Sequence, residues 1–307
     1  VGSTESPPPL SKMGGATWKR QKKKVREAIQ EMAEDLLKLY ASRELASGHS
    51  FSHNTLLMRE FADAFEYEET DDQLKAIEDV EADLEKDTPT DRLICGDVGY
   101  GKTEVAMRAA FKVVLDKKQV AVLVPTTILA QQHLHTFRER FREYPIKIDM
   151  VNRFRTPSEQ KETLAQLKKS NVDIIIGTHR LLSKDVEFAA LGLIIVDEEQ
   201  RFGVKHKEKL KKLRNVVDIL TLTATPIPRT LHFSLMGVRD LSVIETPPVD
   251  RLAVKTFIRK FDEKVIREAI MREIDRGGQV FFVHNKIRSI HSIAEMIRRV
   301  APGVRID

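Results

Sequence analysis

Only one cysteine, Cys95, occurs in 307 residues, which rules out a disulfide within the chain and any multi-cysteine zinc site. Such usage suits a reducing compartment. No apolar run approaches the roughly 18 residues that a membrane-spanning helix needs, and the first residues lack the basic, apolar and small-residue succession of a secretory signal. Together these absences lead us to expect a soluble, cytoplasmic protein. A surplus of one charge sign is also missing: 51 Lys and Arg against 46 Asp and Glu leave +5, a balance that permits nucleic-acid binding without demanding it. Apolar residues, in contrast, make up 41% of the chain, enough for a sizeable core in one large domain with attachments or in two domains.

Residues 1–16, rich in Ser, Pro and Gly, read as a flexible linker. From Trp18 to Ser47, Val25, Ile29, Met32, Leu36 and Tyr40 recur at helical spacing between a basic start at Lys19–Lys24 and the stop signal Gly48. This predicts one long amphipathic helix of about 45 Å, whose basic end is either a solvated face or a phosphate contact. From about Phe61, short apolar strands alternate with helices, the pattern of an α/β fold with a parallel sheet. Predicted strands are Arg92–Cys95, Val120–Val124, Ile146–Val151, Val172–Ile176, Leu193–Val196 and Asp218–Leu222, with helices such as Thr103–Leu115 and Ile128–Arg142 between them. Thr246-Pro247-Pro248-Val249-Asp250-Arg251 reads as a domain boundary. Beyond it, strands at Val254–Ile258 and Gln279–Val283 and helices at Glu263–Arg276 and Ile287–Val300 are predicted to begin a second α/β unit, which Asp307 leaves incomplete.

The segment Gly96-Asp97-Val98-Gly99-Tyr100-Gly101-Lys102-Thr103 fits the phosphate-loop pattern between a predicted strand and a predicted helix. In such a loop, backbone N–H groups and the helix N-terminus cradle phosphates, Lys102 reaches the β and γ phosphates of ATP, and Thr103 holds Mg²⁺. A carboxylate at the end of another strand must complete the Mg²⁺ shell. Asp197 follows the apolar strand Leu193–Val196 and fills that role. Glu198 is then placed to orient or deprotonate the attacking water.

Other strand ends present hydroxyls. Pro125-Thr126-Thr127 and Gly177-Thr178-His179-Arg180 offer groups suited to a phosphate backbone, and Thr221-Leu222-Thr223-Ala224-Thr225-Pro226 suits a sensor of the γ-phosphate. Each alone is weak, since Thr after a strand is more often a helix cap. Their order is the informative signal. Gly96–Thr103, Pro125–Gln132, Gly177–Leu182, Asp197–Gln200 and Thr223–Thr225 resemble motifs I, Ia, Ib, II and III of superfamily 2 helicases. Within that group, Pro89–Ala106, Asp197–His206 and Ala224–Leu231 closely resemble the bacterial transcription-repair coupling factors (Mfd), over nearly the whole chain. RecG-type helicases share much of this but typically carry Ser where Tyr100 stands.

The resemblance implies a RecA-like P-loop domain with a parallel sheet, preceded by a long helix and followed by an incomplete second RecA-like domain. The segments become a linker (1–16), a connector helix region (17–60), a first ATP-binding motor domain (61–248) and the start of a second (249–307). It implies ATP and Mg²⁺ as cofactors, with Lys102, Asp197, Glu198 and Gln200 catalytic. Gln73 matches the motif that reads adenine, with Phe65 or Tyr67 as stacking partner, although Thr70-x-x-Gln73 is also a helix capping box and the two roles compete for one amide. Thr126, Thr127, Arg155, Thr178, His179, Thr223 and Thr225 form the candidate DNA-facing set, and Arg201 is a further DNA or coupling candidate. The implied activity is ATP-driven translocation on double-stranded DNA that displaces stalled RNA polymerase and recruits excision repair, with polymerase and UvrA contacted through parts outside this chain. A RecG-like junction remodeller and a nucleotide-gated binding module are the alternatives. Arginines from a complete second motor domain accelerate such hydrolysis by roughly 10³ to 10⁵, so this chain is expected to bind nucleotide but hydrolyse it poorly.

Overall fold

The computed structural model describes residues 20, 23, 45–53, 55–214, 216–224, 240–249 and 254–307. The predicted Trp18–Ser47 helix lies almost wholly outside them. Arg20 and Lys23 are helical, while Leu45 and Ala46 belong to a turn and a bend, so the predicted helical assignment does not hold at its last residues.

The chain divides into two compact units that part between Arg251 and Leu252. In the first, helices α1 (Leu56–Asp63) and α2 (Asp71–Leu84) precede an alternating series. It runs β1 (Asp91–Gly96), α3 (Lys102–Leu115), β2 (Gln119–Leu123), α4 (Thr127–Arg140), β3 (Ile148–Val151), α5 (Pro157–Lys168) and β4 (Ile174–Gly177). Then come β5 (Leu191–Asp197), α6 (Val204–Leu213), β6 (Asp218–Thr223) and β7 (Asp240–Ile244). The sheet order is β3-β4-β2-β5-β6-β1-β7, and every pairing is parallel.

A parallel sheet is covered on both faces, which is why its strands are near-continuous apolar runs. Alternate side chains then feed two cores. Val120, Val122, Ile174, Ile176, Leu193 and Ile195 join the layer of α1 to α4, whereas Ala121, Leu123, Ile175, Ile194 and Val196 face the layer that contains Leu167 of α5 and Leu210 of α6. Aromatics are only 6% of the chain, yet several converge on the first layer. Phe61 stacks on Phe111 at 4.2 Å, and Phe137 stacks on Phe141 at 5.8 Å.

Residues that the sequence reading placed in the connector region also enter this core. Phe51 is 2% exposed. Its N–H donates to the Leu84 carbonyl at 2.9 Å, and the Ser52 N–H donates to Asp116 at 2.8 Å. The strand β7 was not anticipated. It lies at the sheet edge beside β1, and its Ser242 hydroxyl donates to Asp79 and accepts from Arg92.

The second unit contains α7 (Glu263–Asp275) and α8 (Ile290–Val300), packed through Ile270, Ile297 and Ala301. The strands predicted at Val254–Ile258 and Gln279–Val283 are not formed. A strand takes its hydrogen bonds from a neighbour, and among the described residues this unit contains none. Ile258 and Phe281 are accordingly left 97% and 92% exposed. Among the described residues, no helix is long and apolar enough to cross a membrane.

Candidate active site

Because every strand pair is parallel, the motif-bearing strand ends reach one edge of the sheet together. Their register is close: Cys95 of β1 pairs with Thr223 of β6, Leu222 of β6 with Asp197 of β5, and Leu123 of β2 with both Val196 and Gly177. The crevice outside the carboxyl ends of such strands is where α/β sheets bind ligands.

At the end of β1 the chain turns through Gly99 and Gly101, at φ +79° and +77°. The positive φ favours glycine at this second turn, and a Cβ on Gly101 would also lie 2.3 Å from the Gln73 side-chain nitrogen and displace it. Gly101 then opens α3 with no side-chain cap, leaving its first N–H groups directed at the loop. Lys102 folds over this loop, and its Nζ donates to the Gly96 carbonyl at 2.7 Å and the Asp97 carbonyl at 2.8 Å. Burial pushes the Lys102 ammonium below its ordinary pKa, although Asp197, Glu198 and Asp97 pull the other way. The charges of motifs I and II therefore share one site.

Glu198 has a left-handed backbone, φ +55°, which is strained for a side chain of this size. It is pinned from both ends: its N–H donates to the Leu222 carbonyl at 2.9 Å, and its carboxylate accepts from the Ala224 N–H at 2.9 Å. The Gln200 amide also donates to the Glu198 carboxylate. Motif II thus rests on the end of β6. Among the described residues no group of three or more His, Cys, Asp or Glu side chains is arranged to hold a metal ion. Mg²⁺ takes one or two protein oxygens and completes its shell with phosphates and water; Thr103 and Asp197 offer hard oxygens of that kind.

Beside the loop lies a pocket of about 760 Å³, lined among others by Phe65, Tyr67, Gln73, Lys102, Thr103 and Val249. Gln73 performs the capping role in full. Its Oε1 accepts from the Thr70 N–H at 2.9 Å, and its own N–H donates to the Thr70 hydroxyl at 3.3 Å. Its Nε2 also donates to the Tyr100 carbonyl of the loop at 3.1 Å, so capping and loop contact use different atoms of one amide. Phe65 is flanked by the guanidinium groups of Arg108 and Arg140, at 5.7 and 5.6 Å. Both arginines are tied to Glu104.

Pro248 and Val249 also line this pocket, although the sequence showed only a boundary there. Asp72 explains their position. Its carboxylate accepts from the Glu245 N–H and from both the N–H and hydroxyl of Thr246 at 2.8–3.0 Å. Those bonds, the Thr246 hydroxyl foremost, hold the Asp72 carboxyl below its ordinary pKa. Proline and threonine beside an apolar strand carried no signal for this contact.

The candidate DNA-facing residues separate into groups. Thr126 caps α4, accepting from the Leu129 N–H at 3.2 Å, and Thr127 is the first residue of that helix. Thr178 is buried at the end of β4, and the exposed His179 ring lies tilted against His206, with centroids 4.8 Å apart. Burial, then His179 and Lys209, push His206 below its ordinary pKa. Thr223 is buried within β6, and Thr225 lies outside the described residues. Arg155 stands apart, donating to Asp149 at 2.6 Å and to the Thr163 hydroxyl at 2.8 Å. Arg201 is exposed next to motif II.

Fold and loop together define a P-loop ATPase domain of the RecA-like helicase type. The DEAD/DEAH box helicase family model matches residues 70–233, more than half of the chain, and the chain belongs to that family. It is 57% identical to the transcription-repair-coupling factor of Bacillus subtilis (strain 168), over 100% of this chain and 26% of that protein. With its counterpart in Myxococcus xanthus the figures are 56%, 97% and 25%. Among solved structures, RecG bound to a three-way DNA junction matches with a TM-score of 0.72 and 32% identity, over 87% of this chain and 37% of that one. The chain thus spans about a quarter of the length of the curated relatives it matches.

Proposed function

We propose that this chain is the ATP-driven motor module of a transcription-repair coupling factor that moves on double-stranded DNA. The observation that carries the reading is the in-register convergence of motifs I, II and III, with Lys102 opposite Asp197 and Glu198. In this reading the backbone N–H groups of the Gly96–Thr103 loop cradle the phosphates of ATP. Lys102 leaves the Gly96 and Asp97 carbonyls for the β and γ phosphates, a swap of neutral acceptors for charged ones that strengthens its bonds. Thr103 and Asp197 hold Mg²⁺, which when bound neutralises charge developing on the transferred group. Glu198 orients the attacking water, and its bond to the Ala224 N–H links that base to motif III. Gln73 and Phe65 receive the adenine.

DNA is assigned to the edge formed by the start of α4 and the turn after β4, through Thr126, Thr127, Thr178 and His179. Thr223, at the end of β6, is assigned to sensing the nucleotide state, and Thr225 joins that role by its place in motif III of the sequence. Arg155 is assigned to orienting the loop after β3, since its guanidinium is committed to Asp149 and Thr163. The identity with two transcription-repair-coupling factors supports a role of the whole protein in releasing stalled RNA polymerase and recruiting excision repair through UvrA.

Comparing ATP affinity and DNA-stimulated turnover of the chain with its Lys102→Ala variant tests the site. The variant is expected to lose nucleotide binding by at least about tenfold, on the scale of one charge-assisted hydrogen bond. Unchanged affinity removes Lys102 from its role. The likeness to RecG supports one second reading, a junction remodeller. Fork regression by the whole protein without release of a stalled polymerase would favour it.

A further inference from the structure

One buried polar group beside the site has no place in the motif reading. His133, in the middle of α4, is 9% exposed, and its Nε2 lies 3.0 Å from Oδ2 of Asp197. Its other ring nitrogen, Nδ1, is buried without a hydrogen-bond partner. A carboxylate only accepts hydrogen bonds, so Nε2 is the atom that carries the proton. In the neutral ring Nδ1 then keeps only a lone pair, and an unsatisfied acceptor is tolerated in an interior more readily than an orphaned N–H. The orphan and the contact therefore agree on a single ring orientation. A histidine chosen for packing alone would not need its polar edge turned onto the carboxylate of motif II.

We infer that His133 is a positioning residue for Asp197: its Nε2–H holds Oδ2 and so fixes the direction in which the carboxylate presents its other oxygen to Mg²⁺. The inference rests on the assignment of Asp197 to the Mg²⁺ side of the nucleotide. Groups that orient a metal's ligand typically account for 10- to 100-fold in metal affinity. The placement has a second consequence. His133 lies six residues along the same helix from Thr127, about 9 Å at 1.5 Å per residue, so one rigid element carries both the DNA-facing hydroxyls and the hydrogen bond to Asp197. A displacement of α4 by DNA would be transmitted to the carboxylate through this bond.

The test uses the 307-residue chain, a fluorescent ATP analogue, and Mg²⁺ titrated from an EDTA-buffered zero. His133→Leu keeps an apolar body in the core but removes the donor, His133→Gln returns an N–H at similar reach, and Asp197→Asn serves as the reference for a damaged Mg²⁺ ligand. We expect His133→Leu to raise the Mg²⁺ concentration for half-maximal tight binding by about tenfold or more. Affinity in EDTA should stay within about twofold of the parent, and His133→Gln should recover most of the shift. A shift in Asp197→Asn alone would overturn the positioning role and leave the site reading standing. No shift in either would overturn both. Equal loss with and without Mg²⁺ in His133→Leu would show a packing role and also overturn the inference.

Discussion

Gln73 offers a way to separate two roles that one side chain performs. In Gln73→Ala the Thr70 N–H loses its acceptor and the Tyr100 carbonyl loses its donor. The lost cap costs about 1 kcal/mol and the lost bond to the loop about 0.5–1.5 kcal/mol, so a fall of about 2 kcal/mol in unfolding free energy is expected. Gln73→Glu is more discriminating. Glutamate is itself a capping-box residue, so the bond from Thr70 survives while every donor of the amide is gone. If Gln73 also reads adenine, Gln73→Glu should bind ATP about 10- to 100-fold more weakly, the value of one or two hydrogen bonds that the site was built to make. A new negative charge near the phosphates would weaken any nucleotide, and the preference for ATP over GTP cancels that effect. Calorimetric titration with both nucleotides, alongside urea unfolding of both variants, reads all of these quantities. Should Gln73→Glu keep the ATP-over-GTP preference of the parent while Gln73→Ala loses stability, Gln73 is a helix cap and loop tether, and the adenine role is refuted.

Gly101→Ala places a side chain at φ +77° with its Cβ on the Gln73 amide. The backbone strain alone is about 1–2 kcal/mol, so unfolding free energy should fall by about 2–4 kcal/mol once the displaced Gln73 bond is included. The same substitution made on top of Gln73→Ala should cost less, because the clash partner is gone; strict additivity in a double-mutant cycle would contradict the contact. Asp149 bears on acid stability. Burial opposes its ionisation more than any other single influence, yet Arg155, the Met150 N–H and the Thr163 hydroxyl outweigh it, and its folded pKa lies below the ordinary value. A depressed folded pKa means stability that is present above the unfolded value of about 3.9 and is lost as pH falls through the folded one. Melting curves of Asp149→Asn between pH 3 and 7 should therefore converge with those of the parent at the acid end and lie below them near neutrality. Parallel curves across the range would show that the pair with Arg155 contributes nothing.

The sheet was legible where a strand is an apolar run bounded by turn residues, and the six strands expected before the boundary all form, within a few residues of their predicted ends. It was not legible where partners decide the outcome. Val254–Ile258 and Gln279–Val283 have strand composition but no neighbour among the described residues. The edge strand β7 has a neighbour, yet it carries Asp240 and Ser242 in a short run that composition alone does not mark. The same division runs through the site. Motifs I, Ia, Ib, II and III were readable because each is local. The contacts that assemble them span 64 residues between His133 and Asp197 and 174 between Asp72 and Thr246, and no periodicity reports on such pairs.

Arg155, a DNA-facing candidate by pattern, commits its guanidinium to Asp149 and Thr163, a pairing the pattern did not signal. Glu198 shows what a local reading leaves out at the centre. A glutamate at φ +55° persists only if its surroundings over-determine it. Here β5 ends in register with β6, the Leu222 carbonyl takes the Glu198 N–H, and the Ala224 N–H takes its carboxylate. The strain is therefore set by the order of strands in the sheet. The acidic pair after an apolar strand is marked in the sequence, but what aims it is the neighbouring strand end, whose Ala224 follows Glu198 by 26 residues.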